Sequence, residues 1–220
     1  MRMFSVTALA VCGFVGVPGV AWSQPMDCPP MCDRIPASAW IAASDIPLYR
    51  EYRWPGLAGV AVTAAAPRFR FEEDCATPPP FGDPRAFAVA ARAVVPQPAG
   101  QWQLQVQVLH WRGETWRGGQ LATSAVQTAA GALRACQLSS PQSSPSVTTD
   151  VPGRLAAVIS LGDNRVLHQY LLADPRNSTV VELAMWSATP PRVPWPTIVD
   201  SRVLDAMAAP LCSAYIGSCR

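Results

Sequence analysis

The stretch QWQLQVQVLHWRGETW, Gln101 to Trp116, decides the fold. Its first half alternates polar and apolar without a break. A side-chain period of two puts Trp102, Leu104, Val106, Val108 and His110 on one face of a strand, and Gln101, Gln103, Gln105 and Gln107 on the other. The sequence therefore predicts a half-buried strand over Gln101–Trp111, with the glutamine face toward water or a polar groove. Its second half crowds His110, Trp111, Arg112, Glu114 and Trp116 together, with Arg117 next in line. That crowding raises the question of a binding site at the end of the strand.

Upstream, Arg85–Val95 (RAFAVAARAVV) is rich in small apolar residues, and Pro96–Gly100 supplies five turn residues, so the two runs read as a hairpin. Earlier still, Arg68-Phe69-Arg70-Phe71 alternates like a strand end and runs into Glu72-Glu73-Asp74-Cys75. Residues 37–67 read as short helical or extended pieces covering a core. Downstream, RGETWRGG (112–119) reads as a turn, and Gln120–Cys136 as a helix whose apolar stripe is Leu121, Ala125, Ala129, Leu133 and Cys136. The Ser- and Pro-rich residues 138–153 read as a flexible loop. Leu155–Leu161, Arg165–Leu172 and Ser178–Trp186 then form a meander separated by turn residues. A last helix begins near Asp200, with Pro210 kinking it or opening a new first turn. Strands, helix, strands, helix is an α+β order. The expectation is a single domain: an antiparallel sheet, hairpin plus three-stranded meander, with two main helices packed on one face.

The N-terminus, MRMFSVTALAVCGFVGVPGVAWSQ, has Arg2 before an apolar run, a break at Pro18-Gly19, and small residues before Gln24. This reads as a signal peptide over residues 1–23, leaving a secreted chain 24–220 with a Pro- and Cys-rich tail at 24–36 and no integral membrane segment. Seventeen Lys plus Arg against 15 Asp plus Glu give a net charge of +2. Such a balance, without an Arg-rich stripe, argues against nucleic-acid binding. Six cysteines follow the leader: Cys28, Cys32, Cys75, Cys136, Cys212 and Cys219. In an exported chain they read as a disulfide framework. No metal site is expected, because Cys28-Pro-Pro-Met-Cys32 has the wrong spacing and no His lies near a cysteine. No cofactor motif is present either.

Only His110 and His168 can act as imidazole bases. His110 falls on the inward face by parity and reads as structural. If residues 173–177 close a five-residue loop, His168 lies opposite Glu182, with Cβ atoms about 5 Å apart. That pair reads as a sheet-surface contact, or as a pH-sensitive or ligand-contacting one. Trp111 and Trp116, flanked by Arg112 and Arg117, read either as packing or as the lining of a groove for a ring-bearing or anionic ligand.

Three features then carry a family resemblance: the export signal, the helix ending on a cysteine (LATSAVQTAAGALRAC), and the meander followed by a helix carrying LCSAYIGSC. In these the chain resembles the extracellular sensor domains of mycobacterial serine/threonine kinases and the lipoproteins related to them, over roughly residues 40–219. The resemblance implies a disulfide-stapled α+β fold with a ligand-binding cleft. This chain departs from that pattern in carrying six cysteines where the family has four, and in lacking a kinase or a spanning segment. The reading is a non-enzymatic, extracytoplasmic ligand- or partner-binding domain. Its partner would be a small molecule or a component of the cell envelope. The candidate contacts are Gln103, Gln105, Trp111, Arg112, Trp116, Arg117, His168 and Glu182. A hydrolase using His168 and Glu182, or a structural envelope protein without a pocket, are the alternatives. Cys75–Cys136 is the expected central disulfide. Cys28 and Cys32 would bridge to Cys212 and Cys219, or each end would pair locally.

Overall fold

The computed structural model describes residues 34–215. The expected leader, Cys28, Cys32 and Cys219 lie outside the described residues. Among the described residues no helix is long and apolar enough to cross a membrane.

The molecule is one α+β domain built on a seven-stranded antiparallel sheet. Its strands are β1 (Ala61–Thr63), β2 (Val89–Val95), β3 (Gln103–His110), β4 (Ser144–Val151), β5 (Arg154–Leu161), β6 (Arg165–Asp174) and β7 (Thr179–Ala188), in spatial order β1-β2-β3-β7-β6-β5-β4. The helices are α1 (Tyr49–Tyr52), α2 (Arg70–Asp74), α3 (Thr115–Arg134), α4 (Cys136–Ser139), α5 (Asp200–Ala208) and α6 (Leu211–Ala214). The β2–β3 hairpin and the β4–β7 meander join where β3 pairs with β7, so the opening stretch lies at the centre of the sheet.

Both faces of that sheet are covered. On one, Leu104, Val106 and Val108 pack with Leu183, Met185, Tyr170 and the α5 residues Val203, Leu204 and Met207, and Trp40, Ile46 and Trp54 from the N-terminal turns close the layer. On the other, Leu109, Leu167, Leu171 and Val180 pack against Ala122, Val126, Ala129 and Leu133 of α3, together with Phe69 and Phe71. The two main helices therefore lie on opposite faces, not on one. The physical reason stands in β6 and β7, whose runs VLHQYLLA and VVELAMW are apolar on both parities and need two covers. The glutamine face is accordingly not open to water. Gln105 and Gln107 are buried beneath α2.

Three other expectations are corrected. Residues 68–71 do not end a strand: Arg70 opens α2, where Glu72 reaches back to accept the Phe69 N–H at 2.9 Å and the acidic residues sit in the first turn. Residues 138–153 are not a flexible loop, since α4 and the edge strand β4 occupy most of them. The β-branched Val147, Thr149 and Val151 suit a strand, and Pro145 is tolerated because an edge strand has one unpaired side. The helix predicted from Gln120 begins five residues earlier, at Thr115. Gly118 and Gly119 belong to its first turns rather than to a turn before it. A Cβ on Gly118 would come within 2.4 Å of the Ser178 hydroxyl, and one on Gly119 within 2.4 Å of the Pro175 carbonyl. The glycines let α3 lie directly on the β6–β7 turn.

The Cys75–Cys136 disulfide is present, tying the end of α2 to the start of α4, directly after α3, across a sequence separation of 61. Cys212 is disulfide-bonded as well. Pro210 opens a new first turn, that of α6.

Candidate functional site

Beneath α2 lies a buried polar network. Glu182, fully buried on β7, accepts the Arg70 N–H at 2.5 Å, the Gln105 amide at 3.0 Å and the Gln169 amide at 3.1 Å. The Gln169 carbonyl oxygen accepts the Phe71 N–H at 3.2 Å. Gln107 receives Arg92, and both donate to the Arg68 carbonyl. Burial pushes the Glu182 carboxyl up to about 7, against the pull of its three donors. The network docks α2 on the sheet, and its Gln105, Gln107, Gln169 and Glu182 side chains are closed to solvent.

Around it the acidic run 72–74 is shared among arginines. Arg85, itself buried, holds Glu72 through two bonds of 2.7 and 3.0 Å and Asp83 at 2.6 Å, with its guanidinium over the Phe69 ring. These two carboxylates hold its proton more firmly than usual, outweighing the burial that opposes its charge. Asp74 accepts from Arg70 at 2.7 Å and from Arg165 at 3.0 Å. Arg70 in turn covers Trp186.

The opposite face carries His168. Its ring stacks on Trp195 at 3.7 Å and 12°, and Trp102 meets it edge-on at 5.5 Å. Burial drives the imidazole down to about 4, with Asp200 opposing. Asp200, at the start of α5, accepts from Thr149 at 2.7 Å and from the Tyr170 hydroxyl.

The expected His168–Glu182 pair therefore does not exist. The β6–β7 loop holds four residues, 175–178, so His168 faces Met185 and Glu182 faces Leu171. A register shift of three, being odd, sends the two side chains to opposite faces. They cannot act together as the base and carboxylate of a hydrolase.

The crowded end of the opening stretch also divides. His110 stays on the inward parity, stacking on Tyr215 at 4.3 Å with its Nδ1 3.1 Å from the Thr179 hydroxyl. Trp111 is buried against α3, its indole N–H donating to the Pro84 carbonyl at 3.0 Å. Gln103 is spent on the hairpin turn, bonding Gln97 in both directions. Arg112, Trp116 and Arg117 are exposed.

Of these, Trp116 lines a surface concavity. It is 59 % exposed, an unusual state for the largest side chain, and the Arg117 guanidinium stands 5.3 Å from its ring. The concavity, about 410 Å³, continues along α3 past Gly119, Gln120, Thr123, Ser124 and Gln127 to Pro175 of the β6–β7 turn. Gln120, Ser124 and Gln127 escaped the sequence reading because their signal is spatial: steps of four and three place them on one outward stripe.

Compared with protein-family models, curated proteins and solved structures, the chain matches none.

Proposed function

We propose that the chain is an exported, non-enzymatic binding domain, sensor-like in the manner of the extracellular kinase domains it resembles. Its contact surface is the outer side of α3 around Trp116. A single observation carries the reading: an indole more than half exposed on the lip of a concavity of small-molecule size, on a helix held against the β6–β7 turn. The Cys75–Cys136 bond is compatible with export, since such bonds persist in oxidising compartments. The buried polar groups support binding rather than catalysis. Glu182, Gln105 and Gln169 spend their bonds on holding α2, and His168 spends its ring on Trp195.

The test is retention of purified protein on isolated cell-envelope material. Trp116→Ala should lower retention at least tenfold while leaving the melting temperature within experimental error. Phe87→Ala, removing another exposed aromatic, should leave retention unchanged. Equal retention by wild type and Trp116→Ala would remove this surface from consideration.

A further inference from the structure

Resting on the reading of α3 as the contact surface, the geometry points to a neutral carbohydrate as its ligand: we propose that the Trp116 concavity is a subsite for one or two hexose units of a polysaccharide.

A pyranose ring offers two chemistries at once. One face is a sheet of C–H bonds, which packs on a flat aromatic surface. Its rim is a row of hydroxyls, each able to donate and to accept. Trp116 supplies the flat surface, exposed and with Arg117 against its ring to fix its orientation. Gln120, Ser124 and Gln127 supply the rim contacts. Each amide has two donor hydrogens and an acceptor oxygen, and the serine hydroxyl has both functions, so the set matches hydroxyls in either sense. No intramolecular hydrogen bond occupies these three side chains among the described residues. Thr123 differs, because its hydroxyl already donates to the Gly119 carbonyl at 2.9 Å and is left as an acceptor.

The lining residues Trp116, Gly119, Gln120, Thr123, Ser124, Gln127 and Pro175 carry no charge, and the neighbouring cation, Arg117, stands against the Trp116 ring and is not among them. A site for an anionic sugar, phosphate or carboxylate would aim a cation into the hollow. The volume of about 410 Å³ lies in the range of small-ligand sites, and the hollow is shallow, which suits part of a chain that runs on past the protein. It is also prearranged. Gly118 and Gly119 seat α3 on the β6–β7 turn, and the Ser178 hydroxyl donates to the Thr115 carbonyl at 3.1 Å, so the two lips, Trp116 and Pro175, cannot drift apart.

The experiment uses ¹⁵N-labelled chain lacking residues 1–23, titrated with hexamers of α-1,4-glucose, β-1,4-glucose and α-1,6-mannose, and with a sulfated hexamer as the anionic arm. Trp116→Phe assigns the Trp116 indole N–H resonance. At least one neutral hexamer is expected to shift that resonance together with the Gln120 and Gln127 side-chain amides. Trp116→Ala should abolish the shifts, and Gln127→Ala should weaken binding about tenfold, the loss of one hydrogen-bonded contact. Shifts at these three residues with the sulfated hexamer alone would overturn the neutral-sugar assignment and leave the surface reading standing. No shift with any hexamer at millimolar concentration, with Trp116-dependent envelope retention intact, would overturn the carbohydrate ligand alone. No shift and no Trp116-dependent retention would overturn both.

Discussion

Glu182 and His168, on opposite faces of the same sheet, are shifted in opposite directions, each chiefly by burial. Glu182 has its folded-state value raised from 4.5 to about 7. Its contribution to stability is fully present below pH 4.5 and is lost as pH rises toward 7, because the unfolded carboxyl ionises first. His168 has its folded-state value lowered from 6.5 to about 4. Its contribution is present above pH 6.5 and is lost as pH falls toward 4, because the unfolded imidazole takes the proton first. The two shifts are similar in size and opposite in direction, each roughly 3 kcal/mol at most. The wild-type protein should therefore show little pH dependence from these groups between pH 4.5 and 6.5. Separating them should expose both slopes in urea unfolding across that range. Glu182→Gln should lose stability on acidification, and His168→Phe, which keeps a ring against Trp195, should lose it on alkalinisation. Parallel curves for the three proteins would refute the pairing of opposed titrations.

At the scale of the element, what was legible in the chain depended on period and on turn residues. Strand β3 could be read because a period of two persists along it, β2, β5, β6 and β7 because turn residues bound their apolar runs, and α3 because of its apolar stripe. The failures were local. Arg68–Phe71 shows the period of two for only two cycles, and the capping carboxylate of Glu72 outweighs it. β4 is exposed along nearly its whole length and its register shifts between Val147 and Thr149, so the serine-rich chain shows no alternation to read. The β6–β7 loop is one residue shorter than expected and starts two residues later, which moved one predicted site residue to the far face of the sheet from another. Of the expected contacts, only Trp116 lines the α3 concavity; which of Trp111 and Trp116 is buried follows from where α3 begins, and that was set by glycines the chain alone presented as a turn. The glycines of α3 also give a paired test by thermal melting. Gly119→Ala should lower stability by about 2 kcal/mol or more, since the added Cβ meets backbone. Gly131→Ala meets nothing within 4 Å and should raise stability by about 0.5–1 kcal/mol.

For the molecule as a whole, the two covers of the sheet are fastened differently. One is held by aromatic and aliphatic packing beneath α5, Trp195 and the N-terminal turns. The other is held by α3 and by the short α2, which a disulfide ties to α4 at the end of α3. Opening the loop of 61 residues by replacing Cys75 and Cys136 with serine should cost about 4 kcal/mol by the chain-entropy model, read as a fall in the urea midpoint with a similar slope. Reduction of the wild type should cost at least as much, because the disulfide of Cys212 opens with it.

The glutamine row has a last consequence for how such a protein fails. If α2 lifts away while the rest stays folded, the patch laid bare mixes Gln105, Gln107, Gln169 and Glu182 with the apolar groups that Phe71 packs on, and is less oily than a band of leucine and valine. Water wets amides and a carboxylate at once, and the freed carboxyl, no longer held up by burial, ionises above about pH 4.5 and repels its copies on other molecules. A partly opened molecule would then stay dispersed long enough to close again, where an oily patch of the same area would have begun to clump.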